Sequence, residues 1–417
     1  MKILAILLVG CSLLAANEPE LSVQVMRSNK DKAAIKTRLA LVMATRDGLF
    51  DEIAHTLKTD LQESGQCEAV LMRGQLPKTK QDLATYQATG YQFVLFLSMS
   101  DDHQAITGRL YDVLDGSMLQ GKKWNRRESK ELWADKIAQD VWFSLMGNYG
   151  SFSSKIAYIK KTKGGLGKRI TQLCLVDWNG QGETIVVSSP TILVAPSWKH
   201  DGEIIFCSQF TDRNVRLMAT DLAGKAWVVF DRDGTSMGAS SLSGSADVVY
   251  CHSGEIWKCS YDMQHKKTKH TLLVRDGNMC ACPTLVQGGD LIYCAAGKIK
   301  RWHARTGAAT SLIDCGYCTG PAYHAPSQRI AYSQKVGKTM QLCIYDLRTK
   351  TVRQMTFDAG DKIDPSWSPC GTYLVYCCTK GKTSEIMVLN TLMGTQRLIS
   401  VPGQSCSCPA WSPLLNG

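Results

Sequence analysis

The stretch Asp364-Pro365-Ser366-Trp367-Ser368-Pro369-Cys370-Gly371-Thr372-Tyr373-Leu374-Val375-Tyr376 reads as a short strand, a tight turn and a second strand. Ser368-Pro369-Cys370-Gly371 supplies the turn, because proline presets φ and glycine tolerates the positive φ that many turns need. Tyr373 to Cys378 is a run of aromatic and apolar residues suited to a buried strand. Beyond it, Thr379-Lys380-Gly381-Lys382-Thr383 makes another turn, Glu385 to Leu389 a third strand and, after Gly394, Thr395 to Ser400 a fourth. The unit is a four-stranded meander.

The same grammar recurs. Ala195-Pro196-Ser197-Trp198 leads to a strand ending at Phe206, and Gly320-Pro321-Ala322-Tyr323 to one ending at Tyr332. Weaker copies lie around Ser240 (Ser241-Leu242, then Asp247 to Tyr250) and Pro283 (Thr284-Leu285, then Asp290 to Tyr293), and a truncated copy, Cys408-Pro409-Ala410-Trp411-Ser412-Pro413, stands near the C-terminus. The anchor positions 196, 240, 283, 321, 365 and 409 recur every 38 to 44 residues, the period of a propeller blade. One such sheet cannot bury both its faces, so neighbours must pack around an axis, with Trp198, Tyr323, Trp367 and Trp411 as packing bulk. Ser154 to Lys160 matches the second strand of a blade but has no Pro-x-Trp strand before it, and Cys408 to Ser412 supplies the missing one. Five complete units and one split unit predict an all-β six-bladed β-propeller over residues 151–417, closed by its own C-terminal strand.

Residues 17–150 follow a different pattern, that of an N-terminal α/β domain. Leu39 to Met43, Cys67 to Met72, Gln92 to Ser98 and Gln104 to Val113 read as strands. Phe50, Ile53, Ala54, Leu57 and Leu61 fall on one helical face ending near Gly65; Lys78 to Thr89 is a second helix, and Trp133, Ile137, Val141 and Leu145 mark a last one. Strands alternating with helices imply a small α/β domain. Met43-Ala44-Thr45-Arg46-Asp47-Gly48 lacks the glycine spacing of a dinucleotide site and reads as a strand-to-helix turn.

Residues 1–16 have the shape of an export signal: Lys2, an apolar run from Ile3 through Leu14, and Ala15-Ala16 before a polar stretch. Leu8-Val9-Gly10-Cys11 also resembles a lipobox, so lipidation of Cys11 and cleavage after Ala16 both stand. The chain is thus expected to be exported. The net charge of +11 is scattered except at Lys160-Lys161-Thr162-Lys163, Arg126-Arg127 and Lys266-Lys267-Thr268-Lys269, read as solvated loop tips. No basic stripe with interleaved aromatics points to nucleic acid.

Of the 17 cysteines, Cys207, Cys251, Cys294 and Cys377 each follow an aromatic at one point of the repeat and read as small buried hydrophobes. Cys315-Gly316-Tyr317-Cys318 has the spacing of a redox or zinc half-site, but no second pair or following helix accompanies it, while a local disulfide stays open. No metal site, cofactor or catalytic residue is assigned. Gly-x-Ser-x-Gly does not occur, and His55, His200 and His324 read as structural or exposed, which weighs against a propeller-gated peptidase. A sugar- or peptidoglycan-binding propeller is the other alternative.

The α/β domain, the Tyr111-Asp112-Val113-Leu114-Asp115 strand end, the Leu145-Met146-Gly147 to Ile156-Ala157-Tyr158 junction, six repeats and the Cys408-to-Pro413 finish together resemble the TolB family of the Tol–Pal envelope system. The resemblance implies a non-enzymatic periplasmic protein whose propeller docks a Pal-type peptidoglycan-associated lipoprotein and whose N-terminal segment engages a TolA-type inner-membrane protein. That segment is Glu20, Leu21, Ser22, Val23, Gln24, Val25, Met26 and Arg27. Independently of the family, Leu21, Val23 and Val25 alternate with polar residues, as a strand adding to a sheet edge would; it could equally pack on the chain's own domain. The second and third repeats lack the aromatic, so Pal contacts are not assigned to residues.

Overall fold

The Pro-x-Trp repeat forms the innermost strand of each blade. The computed structural model describes residues 23–24, 36–77, 79–127, 129–163, 169–241, 247–262 and 267–415; the signal and lipidation readings fall outside them. Residues 193–398 make five blades of four antiparallel strands, beginning with the strands Leu193–Trp198, Ser236–Ser241, Cys280–Leu285, Cys318–His324 and Asp361–Trp367. We number these blades 2 to 6. Blade 1 is the split one: Ser405–Trp411 pairs antiparallel with Lys155–Lys163, which continues to Arg169–Asp177 and Thr184–Ser189. Trp411 stands opposite Ile156 and Ala410 opposite Ala157, so the closing strand is the expected one.

The tryptophans tie blades together through hydrogen bonds as well as bulk. Trp198 of blade 2 donates its indole N–H to the Ala410 carbonyl of blade 1 at 3.0 Å, and Trp367 of blade 6 donates to Ala322 of blade 5 at 3.1 Å. Both acceptors follow the repeat proline, so one register serves two blade contacts. Trp367→Phe keeps an aromatic ring, though a smaller one, but removes the donor and leaves a carbonyl unpaired. The expected loss is about 1–2 kcal/mol, read as a lower urea midpoint with an unchanged slope; an unmoved midpoint would show that the bond contributes nothing.

A tyrosine core runs beside this ring. Tyr158, Tyr250, Tyr293, Tyr332 and Tyr376 occupy the second strand of their blades and are all buried. Four of the phenols reach partners in or near an outer strand, His270 at 2.9 Å for Tyr250, Asp276 at 2.6 Å for Tyr293, Glu183 for Tyr158 and Gln396 for Tyr376, while Tyr332 bonds Gln334 of its own strand at 3.4 Å. Burying the ring is thereby compatible with a satisfied hydroxyl. Cys207, Cys251, Cys294 and Cys377 are buried as expected, and burial pushes the Cys207 and Cys377 thiols up to about 12.

Two sequence expectations shift. The weak copy near Ser240 is offset by one: Gly238 and Ala239, not Ala239 and Ser240, fill the bulge that Ala195 and Pro196 fill in blade 2. With neither proline nor aromatic, nothing in that repeat marked the register. Lys160 is no loop tip; it lies within the strand Lys155–Lys163, is buried, and pairs with Glu183 beside Tyr158. Lys267 to Lys269 likewise open a strand, Lys267–Val274.

The N-terminal domain is a five-stranded sheet in the order Cys67–Arg73, Thr37–Met43, Phe93–Met99, Ala105–Asp112, Met118–Asn125, with the first three parallel and the last two antiparallel. Met118–Asn125 was not legible in the sequence, because this edge strand is mostly exposed and polar. Helix Gly48–Glu63 is capped by Asp47, whose carboxylate accepts the Phe50 amide at 2.9 Å, and it buries Phe50, Ile53, Ala54, Leu57 and Leu61. Helix Lys130–Met146 ends on Gly147, whose φ of 73° suits a residue without Cβ. Among the described residues no helix is long and apolar enough to cross a membrane.

Candidate functional site

Three places bring chemistry together: the axial channel, the junction between the domains and the outer edge of blade 5. At the channel, every innermost strand carries a bulge at the same point, opened by a residue in the left-handed region: Ala195 (φ 50°), Gly238 (65°), Cys282 (50°), Gly320 (61°), Asp364 (55°) and Cys408 (52°). Two are glycine, for which this costs little; the other four each carry about 1–3 kcal/mol of backbone strain. The bulges line a cavity of about 420 Å³ walled mainly by prolines and small residues. Asp364 is the ionisable acid of that wall. Burial raises its pKa, while a hydrogen bond with Cys408 opposes the shift, and burial pushes the Cys408 thiol up to about 11. The lining offers no histidine to act as a base.

At the junction, the cores of the two domains merge. An aromatic series leads from the last helix into the propeller: Trp142 to Phe152 (5.5 Å, edge-on), Phe152 to Trp178 (5.3 Å), Trp178 to Tyr373 (6.3 Å) and Tyr373 to Trp411 (6.2 Å, stacked). Tyr373 donates its hydroxyl to the Ser64 carbonyl at the end of the first helix. Arg397 lies over the Trp178 ring at 5.3 Å and donates to the carbonyls of Asn179 at 2.7 Å and Trp178 at 2.6 Å. Beside it is a cleft of about 220 Å³ bordered by Lys36, Gln62, Glu63, Asn390 and Arg397.

The junction also holds a pair of carboxyl groups. Asp60 of the first helix is 1% exposed; its Oδ1 accepts from Asn179 of blade 1 at 3.1 Å, and its Oδ2 has no donor. Asp135 of the last helix lies within hydrogen-bonding reach. Two carboxylates cannot bond each other unless one carries a proton, so the geometry calls for a shared proton. Burial, then the neighbouring Asp60 and Asp177 charges, hold Asp135 far above the usual carboxylate range, and burial raises Asp60 in the same direction. Sequence inspection passed over this pair, although Asp60 stands three residues after Leu57 on the apolar face of its helix, where an acid is out of place.

At the outer edge, Val23–Gln24 pairs in parallel with Thr351–Gln354, Val23 against Val352 and Gln24 against Arg353, making a fifth strand on blade 5. Of the expected partner-binding segment, these two residues are placed; Glu20, Leu21, Ser22, Val25, Met26 and Arg27 lie outside the described residues.

The histidines fall where the sequence put them. His55 is exposed and bonds the Asp51 carbonyl within its helix at 2.7 Å, His200 is half-buried, and His324 is held between Ser327 and the Pro369 carbonyl. Ser236 and His252 approach to 3.0 Å, a serine–base contact, but Ser236 is fully buried and burial lowers the His252 pKa, so the pair is a packed neutral bond. Among the described residues no group of three or more His, Cys, Asp or Glu side chains is arranged to hold a metal.

Comparison with known proteins places this architecture. The chain is 28% identical over 196 residues to the Tol-Pal system protein TolB of Polaromonas sp. (strain JS666), covering 45% of each chain. It is 25% identical over 219 residues to that of Methylococcus capsulatus, covering 51% of each. The chain is related to the TolB family. The match spans about half the length of these TolB relatives. The crystal structure of TolB from Acinetobacter baumannii superposes with a TM-score of 0.76, covering 91% of this chain and 97% of that one at 21% identity, which shows that the TolB fold extends over both domains. No family model matches the chain.

Proposed function

We propose that the chain is a non-enzymatic periplasmic scaffold of a Tol–Pal type envelope system. In this reading residues 1–16 are an export signal, residues 17–150 an α/β domain bearing the partner-binding segment, and residues 151–417 a propeller that docks a Pal-type peptidoglycan-associated lipoprotein. Glu20 to Arg27 engage a TolA-type inner-membrane protein, and the linkage supports outer-membrane integrity and cell division. Relatives named as Tol-Pal system proteins support the system, and the pairing of Val23–Gln24 with the edge of blade 5 carries the mechanism.

Among the described residues of the segment, Val23 and Gln24 pair with blade 5. A strand that adds to a sheet edge is held by main-chain hydrogen bonds that the edge of a partner's sheet offers equally well, so the segment is suited to exchange one edge for the other. Deleting residues 20–28 is expected to abolish binding of a purified TolA-type domain while Pal-type binding stays intact or strengthens. Unchanged TolA-type binding refutes the assignment of the segment, and loss of a hydrolytic activity on a single Ser→Ala change refutes the scaffold.

A further inference from the structure

The Cys315-Gly316-Tyr317-Cys318 segment joins blade 4, at the end of the strand Ala309–Ile313, to the first strand of blade 5, Cys318–His324. Gly316 turns the chain with φ of 85°, and a Cβ there would meet nothing within 4 Å, so the loop faces open space. The turn brings the two thiols side by side, within reach of each other. Their environments differ. Cys318 is buried and faces the carbonyls of Gly297 at 3.3 Å and Ile313 at 3.9 Å, with the amides of Cys315 and Ile299 also directed at its sulfur. Cys315 is half-buried beside Tyr317, which is 51% exposed.

We propose that Cys315 and Cys318 form a reversible dithiol–disulfide site at the seam between blades 4 and 5, oxidised by a disulfide-containing oxidant. The accessible Cys315 meets the oxidant first. Its thiolate attacks one sulfur of RS–SR, forming a mixed disulfide and releasing RS⁻. Cys318 then attacks the Cys315 sulfur as thiolate and displaces the second RS⁻. In sum two thiols and RS–SR become one intramolecular disulfide and two RSH, with both cysteine protons ending on the released thiols.

The surroundings suit the ring-closing step. In the reduced pair the Cys315 S–H favours a thiolate on Cys318, and once Cys315 carries the mixed disulfide the backbone amides of Cys315 and Ile299 still favour it. The repeat-position cysteines differ: Cys207 and Cys377 are sealed in the sheets with thiols held at about 12. Because the ring closes over only a few residues, little chain entropy is lost, which favours closure over a lasting mixed disulfide.

The test uses the full folded chain in mixtures of oxidised and reduced glutathione, quenched with acid and alkylated. The tryptic fragment Thr306–Arg329 carries Cys315 and Cys318 and no other cysteine, so its mass reports the pair alone. In oxidised buffer it is expected to resist alkylation and to be lighter by two hydrogens, while Cys377 and Cys378 stay alkylated. Reduced glutathione should reverse the change. Cys315→Ser, at the half-exposed position, should leave Cys318 reduced, and Cys318→Ser should trap glutathione on Cys315. Full alkylation of both thiols in the oxidised buffer overturns the proposal, as does a fragment that carries glutathione without ever closing the ring.

Discussion

A chain ending at Gln404 is expected to lose its cooperative unfolding transition altogether. The deletion removes Ser405–Trp411, and with it the partner of Lys155–Lys163. Ile156, Ala157, Tyr158 and Ile159 are all at most 1% exposed in the intact chain and would then form an apolar open edge. Trp411 is lost as well: it stacks on Tyr373, donates its indole N–H to the Ser154 hydroxyl oxygen at 2.9 Å, and donates its backbone amide to the Ser366 hydroxyl oxygen at 3.0 Å. Removing one buried aromatic costs about 3–5 kcal/mol, and the strand carries several further buried contacts, which together rival the 5–15 kcal/mol total of an ordinary domain. Circular dichroism melting and gel filtration check this. A monomeric product melting cooperatively within a few degrees of the intact chain would refute ring closure as the source of stability. The intact-length Trp411→Phe variant should remain folded, separating loss of one hydrogen bond from loss of the strand.

The second large effect is a fall in stability with rising pH at the domain junction. Asp60 and Asp135 bind protons more tightly folded than unfolded. Between the ordinary aspartate pKa near 3.8 and the raised values of the folded pair, the folded state therefore carries the extra proton. Stability must fall with pH wherever the folded state holds more protons. This contribution is fully present below the unfolded pKa and is lost as pH climbs to about 9. The groups facing the pair are Asp177 and Glu63, which add repulsion, Asn179, which bonds Asp60, and Lys155, which favours ionisation of Asp135. Asp135→Asn supplies a permanent hydrogen in place of the shared proton, so its melting temperature should vary much less between pH 5 and pH 9 than that of the native chain. Parallel curves for the two proteins would show that no proton is shared.

These two effects mark the limits of what could be read from residues alone. The closing strand was legible because an incomplete copy, Cys408 to Pro413, stands opposite an incomplete start at Ser154. The cysteine slots and repeat tryptophans were legible for a related reason: a residue recurring at blade period faces the same packing in every blade. The copy at Ser240 slipped by one because it lacks both punctuating residues, and Met118–Asn125 was missed because an exposed edge strand has no apolar alternation. Lys160 was misjudged because its partner Glu183 arrives on the next hairpin, beyond the reach of a local charge count.

By itself, the sequence determined the period, the number of blades, the closure and the helical faces of the first domain, since each rests on hydrophobic and turn spacing along a short span. Tertiary structure alone decided which groups meet across long separations: Asp60 with Asp135 and Asn179, Arg397 over Trp178, and Val23 beside Val352. It likewise set the six left-handed residues around the channel. Spacing specifies what each segment buries, whereas the identity of its neighbours depends on how the closed ring and the α/β domain pack, and burial then sets the charges those neighbours hold.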